Sequence, residues 1–420
     1  MSQTHVVARV QDVELTGSLP DVPSIDSAGR RADMVWLLVR LNRTPIGSVM
    51  LALPDAGLSR DELATAIQTS HGEIATRHIP GDGAKVHVDG IEPPDAAEVG
   101  RRRARALQAG PELTVVVCTR DRPDALRRCL DSLRGQAYPR FRILVADNST
   151  VLGAGTRDVG PDVETIAVRR PGLSHARNAA VAATRGENLA WIDDDEIADE
   201  HWLSEIAEAF LDHPEADVIS GAVVPAELDT LAQVWFEQFG GHSKGRGFTP
   251  AVFSADTAVT QSPLYPLPPF GAGANLATRA GVVESIGGFD PALGAGSPAK
   301  GGEDTLALTQ VLLAGGMIVY HPAALTRHFH RSDLDGLRRQ LIGYGTGLTA
   351  AYTSLLVKQP RRLPQLLALT PIALRDIFGA SGARVATIND DFPRDLLRAN
   401  LRGMIVGPAA YLRGRRRMCR

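Results

Sequence analysis

From Leu113 the chain reads LTVVVC, an apolar, β-branched run without polar alternation, the pattern of a parallel strand buried on both faces. Pro123 suits a first helical turn, and Leu126, Cys129, Leu130 and Leu133 then recur at helical spacing until Gly135, which predicts a helix directly after the strand. FRILVA at 141–146 and NLAWI at 188–192 repeat the strand pattern, and the small-residue stretch 176–184, closed by Gly186, reads as another helix. Strands alternating with helices predict a doubly wound α/β sheet.

Upstream the pattern differs. Apolar runs at 34–41 and 46–53 flank the turn-like Asn42-Arg43-Thr44-Pro45 and predict a hairpin. Ser59 and Glu62 have capping-box spacing before Leu63, Ala66 and Ile67, so a helix should follow. The stretch 80–110 combines turn residues with basic ones and no long apolar period, and reads as a connector. The chain therefore divides into a small α+β N-terminal module at 1–110, a central unit at 111–331, and a helical, basic C-terminal region at 332–420.

Composition narrows the class. The chain has 420 residues, 44% of them hydrophobic, which is ordinary globular material. Its 45 Lys and Arg stand against 48 Asp and Glu, so it lacks the basic excess of a nucleic-acid binder, and no nucleic-acid partner is expected. Cys118, Cys129 and Cys419 form no metal or disulfide spacing, which fits a reducing cytosol. The first residues show no signal-peptide pattern, and no apolar run reaches the ~18 residues of a membrane span. Residues 396–420 carry seven arginines and no acid among Leu, Met, Ile and Val, a pattern that fits either peripheral contact with anionic lipid or a solvated basic tail.

In open α/β sheets ligands bind beyond the carboxyl ends of the strands. There the sequence places Thr119-Arg120-Asp121-Arg122, then Asp147-Asn148-Ser149, then Asp193-Asp194-Asp195-Glu196. Clustered carboxylates repel unless something positive neutralises them, and a divalent metal does so while leaving sites for phosphate oxygens. The bland reading of Asp193–Asp195 is an acidic turn before a helix starting near Asp199. Glu303-Asp304 follows a glycine-rich loop, where an acid either caps a helix or serves as general base. His328 and His330 would share one face of a strand, either as structural histidines or as ligands beside a carboxylate-held cation. Arg177 and Asn178 sit near a helix start, where a guanidinium can grip a diphosphate or simply form a salt bridge. The stretch Gly271–Asn275 is glycine-rich but is no nucleotide fingerprint by itself.

Taken in order, VVVCTRDRP, VADNS, GLSHARNAA, WIDDDE, FGAGANLATR, GGFDP, GGEDT and PAALTRHFH resemble the inverting family 2 glycosyltransferases of bacterial type, which have the GT-A fold, over roughly residues 113–331. The resemblance implies that Thr119, Arg120 and Asp147 hold the nucleotide, with Arg177, Asn178, Asp193, Asp194 and Asn275 also on the donor. It implies that Asp195 of the DxD motif and His328 bind Mn2+ or Mg2+, that Asp304 is the catalytic base, and that Glu303 is its partner in the ED pair. The triple aspartate leaves the DxD register open to Asp194–Glu196. The QxxRW motif of processive synthases is absent after the ED pair, which favours transfer of one or a few sugars.

The implied activity is transfer of a sugar from a nucleotide-diphosphate sugar to a hydroxyl acceptor such as a cell-envelope glycan, a glycolipid or a secondary metabolite. Two rivals remain: a catalytically silent scaffold of the same fold, and a sugar-1-phosphate nucleotidyltransferase, although CTRDRP lacks the glycines that a nucleotidyltransferase loop requires. A redox enzyme would need a dinucleotide glycine turn, which is missing. Side chains at 235–244 and 270–275 are candidates for selecting substrates. The expected location is the cytoplasm, with contact at the inner face of the membrane through the basic C-terminus.

Overall fold

The computed structural model describes residues 5–77, 86–91, 96–242, 246–254, 264, 270–378 and 392–418. Lys244, Cys419, Arg420 and parts of the 80–110 stretch lie outside these. The N-terminal strands are β1 (His5–Glu14), β2 (Arg31–Leu41) and β3 (Thr44–Ala52). The hairpin of β2 and β3 turns on Asn42 and Arg43, both at positive φ (51° and 67°), as a tight two-residue connection demands. Sequence reasoning missed β1, which pairs parallel to β2. Helix α1 (Arg60–Arg77) starts with the capping box: Ser59 Oγ donates to Glu62, which also accepts from the Ser59 N–H.

Helix α2 (Ala96–Ala109) occupies much of the expected connector. Its arginines answer acids far along the chain, Arg103 pairing with Glu205 at 3.3 Å and Arg105 with Asp212 at 3.2 Å. The three-stranded sheet also packs on the centre of the molecule. Ala8, Trp36 and Leu38 share one buried cluster with Val116, Leu144 and Trp191, and Arg40 bridges Asp12 and Asp199.

The centre is an α/β unit built from β4 (Leu113–Thr119), α3 (Pro123–Arg134), β5 (Phe141–Asp147), β6 (Val163–Ala167), α4 (Leu173–Ala183) and β7 (Asn188–Asp193). It continues with β8 (Glu196–Ala198), α5 (Trp202–Asp212), β9 (Val218–Pro225), α6 (Leu231–Gln238), β10 (Ala251–Phe253) and β11 (Asn275–Thr278). The short α7 (Val282–Ser285), α8 (Glu303–Leu313) and β12 (Ile318–His328) complete it. Among the described residues the sheet order is β10-β12-β9-β11-β7-β4-β5-β6, with β8 paired to β12. β4 pairs parallel with β5 and β7, while β11 runs antiparallel between β7 and β9, so the sheet is mixed as the GT-A expectation requires. The acidic run after β7 leads into β8, and α5 starts only at Trp202, so a helix does not account for these aspartates.

The C-terminal region comprises α9 (Leu334–Lys358), α10 (Leu363–Phe378) and α11 (Arg394–Met418), so the basic tail is helical through Met418. α9 and α11 run parallel and touch backbone to backbone: a Cβ on Gly345 would lie 2.1 Å from the Asn400 carbonyl oxygen, and one on Gly403 2.2 Å from that of Ile342. Buried Asp290 of GGFDP accepts from Ser354 Oγ (2.6 Å) and Tyr411 Oη (3.2 Å) and pairs with Lys358 (2.9 Å), fixing both helices to the central unit. Among the described residues no helix is long and apolar enough to cross a membrane.

Candidate active site

Parallel strands β4 and β7 end side by side, Cys118 facing Asp193 in register, and loops leaving those ends open one cavity of about 630 Å³. Thr119, Arg120, Arg177, Asp193, Asp194, Asp195, Glu303, Asp304 and His328 all line it, although they span some 200 residues of sequence. Helix α9 covers one side with Gln340, Gly343, Tyr344 and Leu348. The glycines of GYGTG allow this, because a Cβ on Gly302, before the ED pair, would lie 2.2 Å from the Gly347 carbonyl oxygen.

Three expected donor ligands sit elsewhere. Asp147 turns back on its own loop, its carboxylate accepting from the N–H groups of Ser149 (2.9 Å) and Gly153 (2.8 Å). Asn178 exchanges hydrogen bonds with the Phe289 backbone, and Asn275 donates to the Ala222 and Ala324 carbonyls while accepting from Trp202. All three satisfy backbone or ring groups and none lines the cavity. Arg177 is buried, donates to the Gly273 carbonyl (2.9 Å), and pairs with Glu303 (3.2 Å) and Asp193 (3.4 Å). It therefore holds the two acidic motifs together.

The aspartates divide by environment. Asp194 accepts from Thr119 Oγ1 (2.8 Å) and pairs with Arg122 (3.1 Å); burial first, then the charge of Asp195, push its pKa up to about 6. Burial also pushes Asp195 upward, but His328, Arg122 (2.7 Å) and Arg331 (3.6 Å) outweigh it and hold the carboxyl far below the usual range. Glu196 is buried on β8 and does not line the cavity, which leaves Asp193-x-Asp195 as the cavity-facing register. Glu303 is raised to about 7, by burial and then by Asp304, with Arg177 opposing. Asp304 faces the cavity at the start of α8, one oxygen accepting from the Gly273 N–H (2.8 Å) and the other from that of Thr305 (2.7 Å).

A chain of hydrogen bonds that sequence reasoning did not find fixes His328. Glu237, in the last turn of α6, can only accept, so the 2.8 Å contact from His330 Nε2 places a proton on that nitrogen. His330 Nδ1 then accepts, and its 2.8 Å partner His328 Nδ1 must donate. The remaining ring nitrogen, His328 Nε2, lies 3.5 Å from Asp195 Oδ1. A carboxylate oxygen and a ring nitrogen face each other stably only with positive charge between them, either a proton or a metal ion. Asp195 and His328 thus fit a divalent cation. His242 lies near both rings, one nitrogen from each of the three histidines falling within 4.8 Å of the others, while His328 and His330 bond each other through Nδ1.

Residues 114–271 match the model of glycosyl transferase family 2. The chain is 25% identical over 247 residues to a pre-mycofactocin glycosyltransferase of Mycobacterium tuberculosis, covering 57% of this chain and 47% of that one. It is 29% identical over 222 residues to the succinoglycan biosynthesis protein ExoM of Rhizobium meliloti, covering 50% and 65%. The chain thus spans less than two thirds of either relative. Among solved structures it is similar to the mannosyltransferase PcManGT of Pyrobaculum calidifontis in complex with GDP-Man and Mn2+, at 18% identity and a TM-score of 0.47, covering 74% and 96%.

Proposed function

We propose that the chain, whose residues 114–271 match glycosyl transferase family 2, is an inverting, metal-dependent enzyme that moves one sugar from a nucleotide-diphosphate donor to an acceptor hydroxyl. The observation that carries the reading is the convergence on one cavity of two groups of different chemistry: Asp195 with His328, which suit a cation, and Asp304, which suits a proton acceptor. Asp193 and Arg177 tie the donor end to the ED pair, and Thr119 and Arg120 stand at the strand end where the nucleotide would lie.

A manganese or magnesium ion held by Asp195 and His328 would neutralise charge developing on the leaving diphosphate. The chain's own residues supply the rest. Asp304 takes the proton of the acceptor hydroxyl, and the hydroxyl oxygen bonds to the anomeric carbon as the bond to diphosphate breaks on the opposite face. The two backbone N–H groups on the Asp304 carboxylate hold it in place for that transfer. Arg122 and Arg331, beside Asp195, are placed to meet the departing phosphates. The acceptor is a cell-envelope glycan, a glycolipid or a secondary metabolite. Arginines on α11, among the exposed Ile405, Val406 and Leu412, offer a peripheral contact with anionic lipid.

The test is a panel of UDP-, GDP- and dTDP-sugars with and without manganese, following release of nucleoside diphosphate. Metal-dependent release from one donor is expected, with Asp304→Asn keeping nucleotide affinity while losing about 10²- to 10⁴-fold in turnover. No release and no nucleotide binding would favour a silent scaffold. Release of pyrophosphate from a nucleoside triphosphate and a sugar phosphate would favour a nucleotidyltransferase.

A further inference from the structure

The cations lining the cavity are not equivalent. Arg122 and Arg331 pair with Asp195, Arg177 with Glu303 and Asp193, and Arg120 approaches Asp121 at 3.7 Å. Lys300 is exposed to solvent. Arg246 differs from all of these. It enters no salt bridge among the described residues, and its Nε and Nη1 atoms are closed to solvent without a hydrogen-bond partner. Nη2 donates to the His242 carbonyl at 2.7 Å, and the guanidinium lies against Tyr320, 5.5 Å from the ring centre, where that side chain also supports its charge. Burial draws its pKa down, yet a guanidinium does not give up its proton in a protein. A charge kept out of water with most of its donors unmet is unfavourable unless an anion arrives to meet it.

We propose that Arg246 receives a phosphate or carboxylate group of the acceptor, so that the substrate class of this site is a negatively charged hydroxyl compound. This rests on the glycosyltransferase reading above. Position argues for the acceptor rather than the donor. Asp193, Asp194 and Asp195 mark the donor end, and their charges are met by Arg122, Arg177 and Arg331. Arg246 lines the same cavity as Asp304, the group proposed to accept the acceptor's proton, and Asp304 is the carboxylate whose charge supports it. An anion seated on Arg246 would anchor the acceptor while leaving a hydroxyl for Asp304. Tyr320, whose hydroxyl donates to the Gly247 carbonyl at 2.7 Å, backs the guanidinium.

The experiment uses the full chain with manganese and whichever of UDP or GDP it binds, both saturating, and titrates methyl phosphate and acetate calorimetrically into the wild type, Arg246→Gln and Arg246→Lys. Saturable binding of at least one anion is expected, weakened tenfold or more in Arg246→Gln and less in Arg246→Lys, with nucleotide affinity unchanged within twofold in both. Equal anion binding in wild type and Arg246→Gln, or none in the wild type, overturns the proposal. So does a parallel loss of nucleotide affinity, which would assign the anion to the donor diphosphate. A loss of UDP-glucuronate binding without loss of UDP-glucose binding would place the carboxylate on the donor sugar, also against it. If no nucleotide binds at all, the glycosyltransferase reading fails, and titration without nucleotide still reports whether Arg246 holds an anion.

Discussion

Replacing Glu237 by Gln tests how much of the cation site is built from outside its ligands. In the wild type Glu237 accepts from His330 at 2.8 Å, His330 accepts from His328 at 2.8 Å, and the free nitrogen of His328 is turned toward Asp195 at 3.5 Å. The amide of Gln has nearly the same shape, so packing against Gly241, where even a Cβ would lie 2.4 Å from Glu237 Oε1, is preserved. Two things are lost. The bond to His330 is no longer charge-assisted, which roughly halves its strength. The amide can also donate, which permits the reversed chain in which His328 points an N–H at Asp195 and has no lone pair for a metal.

Removing such outer partners typically lowers metal affinity about 10- to 100-fold, equivalent to roughly 1.4 to 2.7 kcal/mol. Manganese affinity measured calorimetrically with saturating nucleotide should fall by that factor in Glu237→Gln, and again in His330→Phe. Because the defect lies in affinity, turnover at saturating manganese should return close to the wild-type value. Unchanged manganese affinity in both variants would refute the argument, and so would a turnover loss that excess metal does not repair.

Three further outcomes follow from the same geometry. Asp195→Ala should weaken metal-dependent nucleotide binding; an unaltered manganese titration would transfer the ligand role to Asp193. Glu303 should make stability fall as pH rises from 4.5 to about 7, because its carboxyl is raised to about 7 from an ordinary 4.5 and the folded state holds the extra proton over that window. The full span, roughly 3 kcal/mol, should vanish in Glu303→Gln, so the melting temperatures of the two proteins should diverge with rising pH; parallel curves would contradict the burial argument. Gly345→Ala places a Cβ 2.1 Å from the Asn400 carbonyl and should cost about 1–3 kcal/mol by forcing α11 off α9. A melting temperature equal to wild type would show that the helices are not in backbone contact.

What the sequence made legible follows from where its signals are local. The runs 113–118, 141–146 and 188–192 are strands because a strand buried on both faces must be apolar at every position, and no helix competes at that length. β1 escaped notice because it is buried on alternate residues and then only in part, so its pattern is diluted. The helix α2 was not legible because its basic residues are satisfied by acids on α5, about a hundred positions later.

The site shows the same division one level up. A polar residue just past a buried strand has the same signature whether it faces the cavity, as Asp193 does, or folds back to hold a loop, as Asp147 does. Motif order therefore locates the sheet edge but does not separate a ligand from a brace. The residues that complete the site, Arg122, Glu237 and Arg246, act through geometry alone: Arg122 joins Asp194 to Asp195, Glu237 orients a histidine pair ninety positions away, and Arg246 keeps unmet donors in the cavity that the ED pair also lines. Their meaning depends on what the fold brings opposite them, and for Arg246 that opposite member belongs to a substrate.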